Sequence, residues 1–351
     1  MALTYKYFSD VDLNDVFFDS LKDDYKEFPE WFKRKAAQGE GAYVFYNQSG
    51  LVDGFLYLKR EDEAILDVSP HLPPYPRLKV GTLKINAHGT RLGERFIKKI
   101  FDHAVEHNLK EIYVTAFEKH EGLIALLRRY GFEVYGNKST PNGNELVFFK
   151  RVGAFHSDSL LNYPILDMKS NKCFLLAIYP VFHTRMLPDS ILKNESFDVI
   201  QDVSHTNSIH KIYLTAMREA STFQRGDVLL IYRTGDGQGP ARYRSVVTSA
   251  CVVEEVRNIN EFSNFDDFRR YCESYSVFDL KELQEFYATK KYPFIIKFSY
   301  NVAMKKRITR GHLIDVYQIP EGIRWGVVHL NAQAAKSILI NGGVDESLIV
   351  D

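Results

Sequence analysis

A glycine-containing turn between a predicted strand and a predicted helix carries the strongest chemical signal in this chain of 351 residues. The strand covers residues 78–86, and the helix continues to about residue 108. The turn and the start of the helix contain two glycines and three cationic side chains: Gly89, Gly93, His88, Arg91 and Arg95. The first N–H groups of a helix lack internal partners and attract anions, and glycine lets a phosphate approach the backbone closely. The turn therefore predicts a site for a pyrophosphate-bearing cofactor.

Elements on both sides of the turn must position it, and their patterns predict one mixed sheet with flanking helices. Aromatic residues between positions 13 and 32 recur at helical spacing, which predicts one or two amphipathic helices. Alternation over residues 42–58, interrupted by a turn, predicts a hairpin. The remaining predictions are a strand, a helix and two further strands over residues 111–117, 121–130, 132–135 and 144–150. Gly131 suits the end of the second helix.

This order of elements and two motifs resemble the GNAT acetyltransferase superfamily over roughly residues 1–150. In that family an Arg/Gln-x-x-Gly-x-Gly/Ala turn holds the pyrophosphate of acetyl-CoA. The matching segment here is His88-Gly-Thr-Arg91-Leu-Gly93, with histidine at the first cation and arginine at the first glycine. A second segment, Leu126-Leu-Arg-Arg-Tyr-Gly-Phe132, is similar to the family's Leu-Tyr-x-x-x-Gly-Phe. The resemblance implies an α+β fold with acetyl-CoA as cofactor.

The resemblance also implies which residues hold the cofactor. They are Ile85, Asn86, His88, Gly89, Thr90, Arg91, Leu92, Gly93 and Glu94. Around Lys84–Asn86 the main chain is expected to pair with the pantetheine arm as an added strand. A backbone N–H is expected to polarise the thioester carbonyl, so that catalysis needs few diagnostic side chains.

The catalytic acid and base are less clearly marked. The family commonly places a tyrosine, the acid for the departing thiolate, where this chain has Leu127, and leucine donates no proton. Three alternatives remain: another group donates the proton, the thiolate leaves without a proton donor, or catalysis is lost. The candidates are Tyr130 and Tyr113 for the acid, and Asp67, Glu118 and Glu121 for the base. Of these, Glu118 and Tyr130 are carried forward as the catalytic pair.

Residues 151–170 lose periodicity and are predicted to link the first domain to a second, residues 171–351. Many short strands with a few helices predict a small mixed barrel there. Three segments resemble the ASCH branch of the PUA-like superfamily: Leu175-Leu-Ala-Ile-Tyr-Pro180, Gly226-Asp-Val-Leu-Leu-Ile-Tyr232 and Val252-Val-Glu-Glu-Val256. The segment Leu192–Asp198 matches poorly the Gly-x-Lys-x-x-Glu of members proposed to be enzymes. The resemblance therefore implies a cleft that binds RNA or modified bases, without independent hydrolysis.

An RNA cleft needs cations for the phosphates and flat side chains for stacking. The cationic candidates are His183, Arg185, Arg233, Arg244, Lys305 and Arg307. Tyr179, Tyr232 and Trp325 are candidates for stacking. A solvated strand end explains the residues from Lys305 to Arg310 equally well, so the RNA prediction rests on the resemblance.

Composition limits the remaining function classes. Lys plus Arg and Asp plus Glu both number 45, so the net charge of zero gives no global attraction to nucleic acid. The three cysteines have no metal-ligand spacing, and no metal constellation is recognised. No signal peptide or membrane-spanning run is seen, which predicts a soluble cytoplasmic protein that binds neither metal nor membrane.

Three functions follow from these patterns. The first is an acetyl-CoA-dependent N-acetyltransferase fused to an RNA-binding module, with an RNA-linked acceptor such as aminoacyl-tRNA or a base amino group. The second is a non-catalytic regulator that binds CoA and nucleic acid. The third is an acetyltransferase for proteins or small molecules whose second domain mediates interactions.

Overall fold

The chain divides into two compact units, Met1–Phe155 and His156–Asp351. The structure, a computed structural model, describes residues 3–86, 89–154, 156, 158–190, 192 and 203–351. His88 of the predicted cofactor turn lies outside the described residues, as does nearly all of the segment 192–198.

The first unit is a mixed sheet with helices on both faces. Its described elements are β1 (Thr4–Tyr7), α1 (Asp19–Asp24), α2 (Phe28–Ala37), β2 (Gly41–Tyr46), β3 (Val52–Glu61), β4 (Arg77–Ile85), α3 (Leu92–Glu106), β5 (Glu111–Ala116), α4 (Glu121–Arg129), β6 (Glu133–Thr140) and β7 (Gly143–Arg151). The strand order is β1-β2-β3-β4-β5-β7-β6, and only β4 and β5 run parallel. The predicted sheet and helices are confirmed. Strand β1 was not predicted, because a four-residue edge strand with three exposed side chains shows no alternation.

Two apolar layers hold this sheet. On one face, aromatic side chains from α2 and the segment before it pack against β3, and Phe8, Phe18 and Phe55 are fully buried. On the other face, α3 buries Phe96 and Ile100, as helical spacing requires. Helix α4 ends at the predicted glycine: Gly131 has φ +77°, and the Phe132 N–H donates to the Leu127 carbonyl.

The second unit contains a six-stranded sheet in order β10-β13-β12-β11-β9-β14 and a short pair of β8 with β15. Its described elements are β8 (Leu166–Asp167), β9 (Cys173–Ile178), α5 (Pro180–Met186), α6 (Ser204–Asn207), β10 (His210–Thr215), β11 (Val228–Arg233), α7 (Ala241–Arg244), β12 (Val246–Asn258), α8 (Phe265–Cys272), α9 (Leu280–Thr289), β13 (Phe294–Thr309), α10 (Arg310–Asp315), β14 (Val327–Leu330), α11 (Ala332–Asn341) and β15 (Ile349–Val350). Residues of the predicted linker contribute to this unit, since Tyr163 and Leu166 are buried.

Two features of the second unit differ from the prediction. The strands are not all short as predicted, because Phe294–Thr309 form one strand of 16 residues, β13. The pairing of β13 with β12 shifts register three times. These irregularities are β-bulges, and they interrupt the alternation of apolar and polar residues within one continuous strand. Among the described strands, β10 and β14 are the two edges of an open sheet and do not pair with each other, so the predicted barrel is not closed.

Candidate active site

The parallel strands β4 and β5 pair at one end and separate at the other. Their register runs from Arg77 opposite Glu111 to Val80 opposite Val114 and stops there. Strand β4 continues to Ile85, still paired with β3 on its other side. A register shift at this point adds Gly81 to β4, which is a β-bulge. The main chain of residues 81–85 therefore faces a gap that can accept an extended ligand as an added strand.

The turn from β4 to α3 adopts the backbone that an anion site requires. Gly89 has φ +83°, and Arg91 lies in the left-handed region at φ 57°, ψ 26°. Helix α3 begins at Leu92, and its N-cap Arg91 provides no side-chain cap. A helix that begins without such a cap directs its first N–H groups and its positive dipole end toward the turn.

A buried carboxylate organises the cations of this turn. Glu94 is 3% exposed, and its Oε1 lies 3.2 Å from Nη1 of Arg91 and 3.5 Å from Nη1 of Arg129. Nearby, the guanidinium of Arg95 lies 5.8 Å from the centre of the Phe45 ring. The acid at position 94 thus holds two guanidinium groups beside the start of α3, one of them from α4.

The predicted cofactor residues that the structure describes lie together along this turn. They are Ile85, Asn86, Gly89, Thr90, Arg91, Leu92, Gly93 and Glu94. The arrangement fits a pyrophosphate, because a left-handed turn leads directly into a helix N-terminus with a cation at the junction.

Gly93 permits a close approach of α3 to α4. A Cβ atom added at this position would lie 2.9 Å from Cδ2 of Leu126 and 3.8 Å from Cδ1 of Ile85. The next residue of α4, Leu127, is fully buried. The side chain at the family's tyrosine position is therefore part of the core of this unit.

The structure does not bring the two predicted catalytic residues together. Tyr130 is fully buried at the end of α4, whereas Glu118 is exposed on the turn before α4 begins. A nine-residue helix separates them, a length of about 13 Å. The two residues therefore lie at opposite ends of α4, and their assignment as a catalytic pair stays a prediction.

The other candidates from the sequence have partners of their own. The hydroxyl of Tyr113 donates a hydrogen bond to Glu61, and burial raises its pKa above the ordinary value. Asp67 pairs with Lys138 at 2.6 Å, which holds the pKa of the carboxyl below its usual range despite partial burial.

Sequence reasoning missed a second polar pair, on the face of the sheet that α1 and α2 cover. The hydroxyl of Tyr25 donates to Oε1 of Glu145 at 2.5 Å, and Glu145 is 3% exposed. The ring of Phe117 stacks on Tyr25 with centroids 5.3 Å apart. The sequence offered one indication of this pair: Glu145 is an acidic residue directly before the apolar run from Leu146 to Phe149.

In the second unit, three of the six predicted cations meet around Thr248. Nε2 of His183 lies 2.8 Å from the Thr248 hydroxyl, and Nη1 of Arg307 donates to the Thr248 carbonyl at 3.2 Å. Burial, then Arg233 and Arg307, lowers the pKa of His183 to about 3. Its Nδ1 is buried and has no hydrogen-bond partner in the described part of the chain. A neutral imidazole thus lies beside two guanidinium groups.

The other three predicted cations lie elsewhere. Arg244 binds Asp236 through Nε at 2.6 Å, and Arg185 donates to the Val277 carbonyl at 2.7 Å. Lys305 is exposed on β13. Of the predicted stacking residues, Tyr232 and Trp325 have ring centres 5.4 Å apart, whereas Tyr179 is exposed.

No family model and no curated protein matches the chain. Solved structures similar to part of it include a putative phosphinothricin N-acetyltransferase (12% identity, TM-score 0.32, 43% of this chain and 98% of that one). The NatC complex bound to Gag peptide and CoA is another (16%, 0.30, 43% and 99%). A third is a serine-to-alanine mutant of ZmASCH from Zymomonas mobilis (8%, 0.31, 49% and 96%). These low values carry no argument for function, which rests on the site itself.

The structure also bears on membrane-spanning helices, metal-ligand clusters and the state of the three cysteines. No helix among the described residues is both long and apolar enough to cross a membrane. No group of three or more potential metal ligands occurs in the same residues. All three cysteines are free and buried, and burial raises the pKa of Cys173 to about 12.

The contact at Gly93 predicts a packing defect on substitution. Gly93→Leu should lower the free energy of unfolding by about 1–3 kcal/mol. The new side chain would clash with Leu126 and push α3 away from α4. The measurement is thermal unfolding of the full chain. Combining it with Leu126→Ala should recover part of the loss. The control is Gly122→Leu in α4, where an added Cβ meets nothing within 4 Å; equal effects at both glycines would contradict the packing role.

The low pKa of His183 predicts acid sensitivity in the second unit. The unfolded chain binds a proton at this imidazole more tightly than the folded chain, since the pKa falls from 6.5 to about 3 on folding. Above pH 6.5 the imidazole is neutral in both states and does not affect the free energy of unfolding. As the pH falls from 6.5 toward 3, only the unfolded chain binds the proton, so the free energy of unfolding decreases. Between pH 7 and pH 5 the loss is about 2 kcal/mol.

Melting curves at pH 5 and pH 7 check this, with His183→Gln expected to reduce the difference between them. His329→Gln is the control, because His329 is exposed on β14. If His183→Gln and the unaltered chain lose equal stability between the two pH values, the imidazole is not the source.

Proposed function

We propose that the first unit is an acetyl-CoA-dependent N-acetyltransferase. The observation that carries this proposal is the separation of β4 from β5 directly before a left-handed turn and the N-terminus of α3. One ligand that suits both features has an extended arm to pair with residues 81–85 and a pyrophosphate to meet the helix. Acetyl-CoA has this form.

The residues of the turn would hold the pyrophosphate. Gly89 leaves the backbone accessible, Gly93 lets α3 pack closely on α4, and Arg91 adds a cation whose guanidinium is positioned by the buried Glu94. A main-chain N–H of β4 would donate to the thioester carbonyl as negative charge develops on it. When bound, acetyl-CoA supplies an activated acyl group that an amine attacks directly, without a covalent enzyme intermediate.

No side chain at the family's tyrosine position serves as the acid, because Leu127 is buried and apolar. Tyr113 is not suited to replace it, since its hydroxyl already donates to Glu61. We propose that the sulfur leaves as a thiolate and then takes a proton from the attacking amine. A thiol of ordinary pKa, about 8.5, is a good enough leaving group for this route.

We propose that the second unit binds RNA and that the acceptor amine is RNA-linked, as in aminoacyl-tRNA. What supports this is the group formed by His183, Arg233 and Arg307 around Thr248. Guanidinium groups suit phosphate, and Arg307 is the partly exposed member through which an RNA would make contact, while His183 and Arg233 are buried.

Calorimetric titration with acetyl-CoA tests the first unit. The full chain should bind, and Arg91→Glu should weaken binding at least tenfold, since a carboxylate would replace the cation beside the pyrophosphate. Arg60→Glu is the control, because Arg60 forms an exposed ion pair with Asp62 at the far end of β3. Absence of binding would overturn the cofactor site. Binding with no CoA release in the presence of any amine would favour the non-catalytic regulator.

Titration with tRNA at several salt concentrations tests the second unit. The logarithm of affinity should fall linearly with the logarithm of salt concentration, and Arg307→Gln should weaken binding and reduce the slope by about 1. Lys281→Gln, at an exposed position of α9, should leave both unchanged. An unaltered slope for Arg307→Gln would remove this residue from the RNA contact. No binding of tRNA would favour a protein or small-molecule acceptor.

A further inference from the structure

The buried pair of Tyr25 and Glu145 lies where the sheet opens. Strand β7 pairs with β5 from Glu111 opposite Arg151 to Ala116 opposite Leu146. Glu145 is the next residue of β7, beyond the last paired residue of β5. It therefore flanks the open end of the gap between β4 and β5. Two strand spacings, about 10 Å, separate β4 from β7 where β4 and β5 still pair, and the distance is larger where they separate.

Register places Glu145 on the face opposite the cofactor turn. Residues paired across strands share a face, and every second residue returns to it, so Glu145 lies on the face of Tyr113. This face is covered by α1 and α2, because Lys84, across from Phe55 of the aromatic layer, reaches Ser20 at 2.5 Å. Ile85 points to the other face, beside Gly93. The two groups thus approach the gap from opposite sides of the sheet.

The surroundings of this carboxylate carry charges of both signs. Lys138 lies directly across from Glu145 on β6 and pairs with Asp67, and Lys119 pairs with Asp24. Oε1 of Glu145 accepts from Tyr25, and no other donor to this side chain is found in the described residues. Burial, followed by Glu145, Asp24 and Glu27, raises the pKa of the Tyr25 hydroxyl. Asp24 is in turn 3.1 Å from Nε2 of His120. A buried carboxylate with one neutral donor is incompletely compensated, and a cationic ligand would complete it.

We propose that Glu145 receives the acceptor as an alkylammonium ion and removes its proton, with Tyr25 as its positioning residue. This inference rests on the proposed acetyltransferase function. One proton passes from the ammonium nitrogen to the Glu145 carboxylate and is later released to solvent. The freed nitrogen forms a bond to the thioester carbon, and the carbon–sulfur bond breaks. The second proton of that nitrogen goes to the departing sulfur, which yields amide and thiol.

The assignment also selects between the two kinds of RNA-linked acceptor. The α-amino group of an aminoacyl ester is an aliphatic amine and is largely protonated near neutral pH. An exocyclic amino group of a nucleobase is neutral, with its lone pair delocalised into the ring, so a carboxylate neither attracts it as a cation nor needs to deprotonate it before binding. Glu145 therefore favours the aminoacyl end of an RNA over its bases.

The test uses Glu145→Gln in the full chain, with glycinamide, bulk aminoacyl-tRNA and cytidine as acceptors. The amide keeps an oxygen for the Tyr25 hydroxyl but takes no proton. At pH 7, kcat/KM for glycinamide should fall at least 100-fold, while the Kd for acetyl-CoA changes less than twofold. At pH 9.5, where glycinamide is a free base, the deficit should shrink at least tenfold. Tyr25→Phe should cost about tenfold at pH 7.

Glu63→Gln, at an exposed position after β3, is the matched control and should leave every value unchanged. Transfer to aminoacyl-tRNA should follow glycinamide, and cytidine should not be acetylated. A deficit of less than threefold, or one that is the same at both pH values, would overturn the role of Glu145 and leave the transferase proposal standing. Acetylation of cytidine alone would overturn the ammonium assignment. No turnover of any acceptor by the unaltered chain would overturn both proposals.

Discussion

The first unit depends on one requirement: two neighbouring parallel strands must be held together at one end and apart at the other. At the closed end, Nε of Arg77 lies 2.6 Å from Oε2 of Glu111, directly across the β4–β5 pair. Both side chains are nearly fully buried, and Arg151 of β7 adds a second guanidinium at 2.8 Å from Oε1. Breaking such a pair leaves a buried charge, at a cost of about 3–5 kcal/mol. The closed end is therefore fixed, and the bulge at Gly81 is where the strands begin to diverge.

Beyond Val80 and Val114 the two strands no longer pair, and each face of the sheet beside this gap has its own chemistry. The face of α3 and α4 presents the helix N-terminus and two guanidinium groups, which suit an anion. The face of α1 and α2 presents Glu145 and Tyr25, which suit a cation. Under the proposed function, an anionic and a cationic reactant would approach the main chain of β4 from opposite faces. A sheet closed along its whole length would keep them apart.

Much of this unit could be predicted from the sequence because its signals are local. The helical spacing of Phe96 and Ile100, and the glycine that ends α4, depend on residues within one or two turns of each other. The prediction of a cofactor site at the turn before α3 rests on the same kind of local pattern. The Tyr25–Glu145 pair joins residues 120 positions apart, and only the order of strands brings them together. The predicted helix over residues 121–130 already implied that Glu118 and Tyr130 lie at its opposite ends. In the second unit, bulges in β13 disturbed the alternation on which strand prediction relies.

Arg91 shows what the chain gives up at its cofactor turn. A left-handed backbone costs a side-chain-bearing residue about 1–2 kcal/mol, and glycine would occupy this position at far less cost. The ion pair of Arg91 with the buried Glu94 offsets part of this cost. The turn is therefore a point of local frustration, where folding and ligand recognition favour different residues. A turn of this kind is more stable when an anion occupies it, so a ligand bound there would also stabilise the folded form of the first unit.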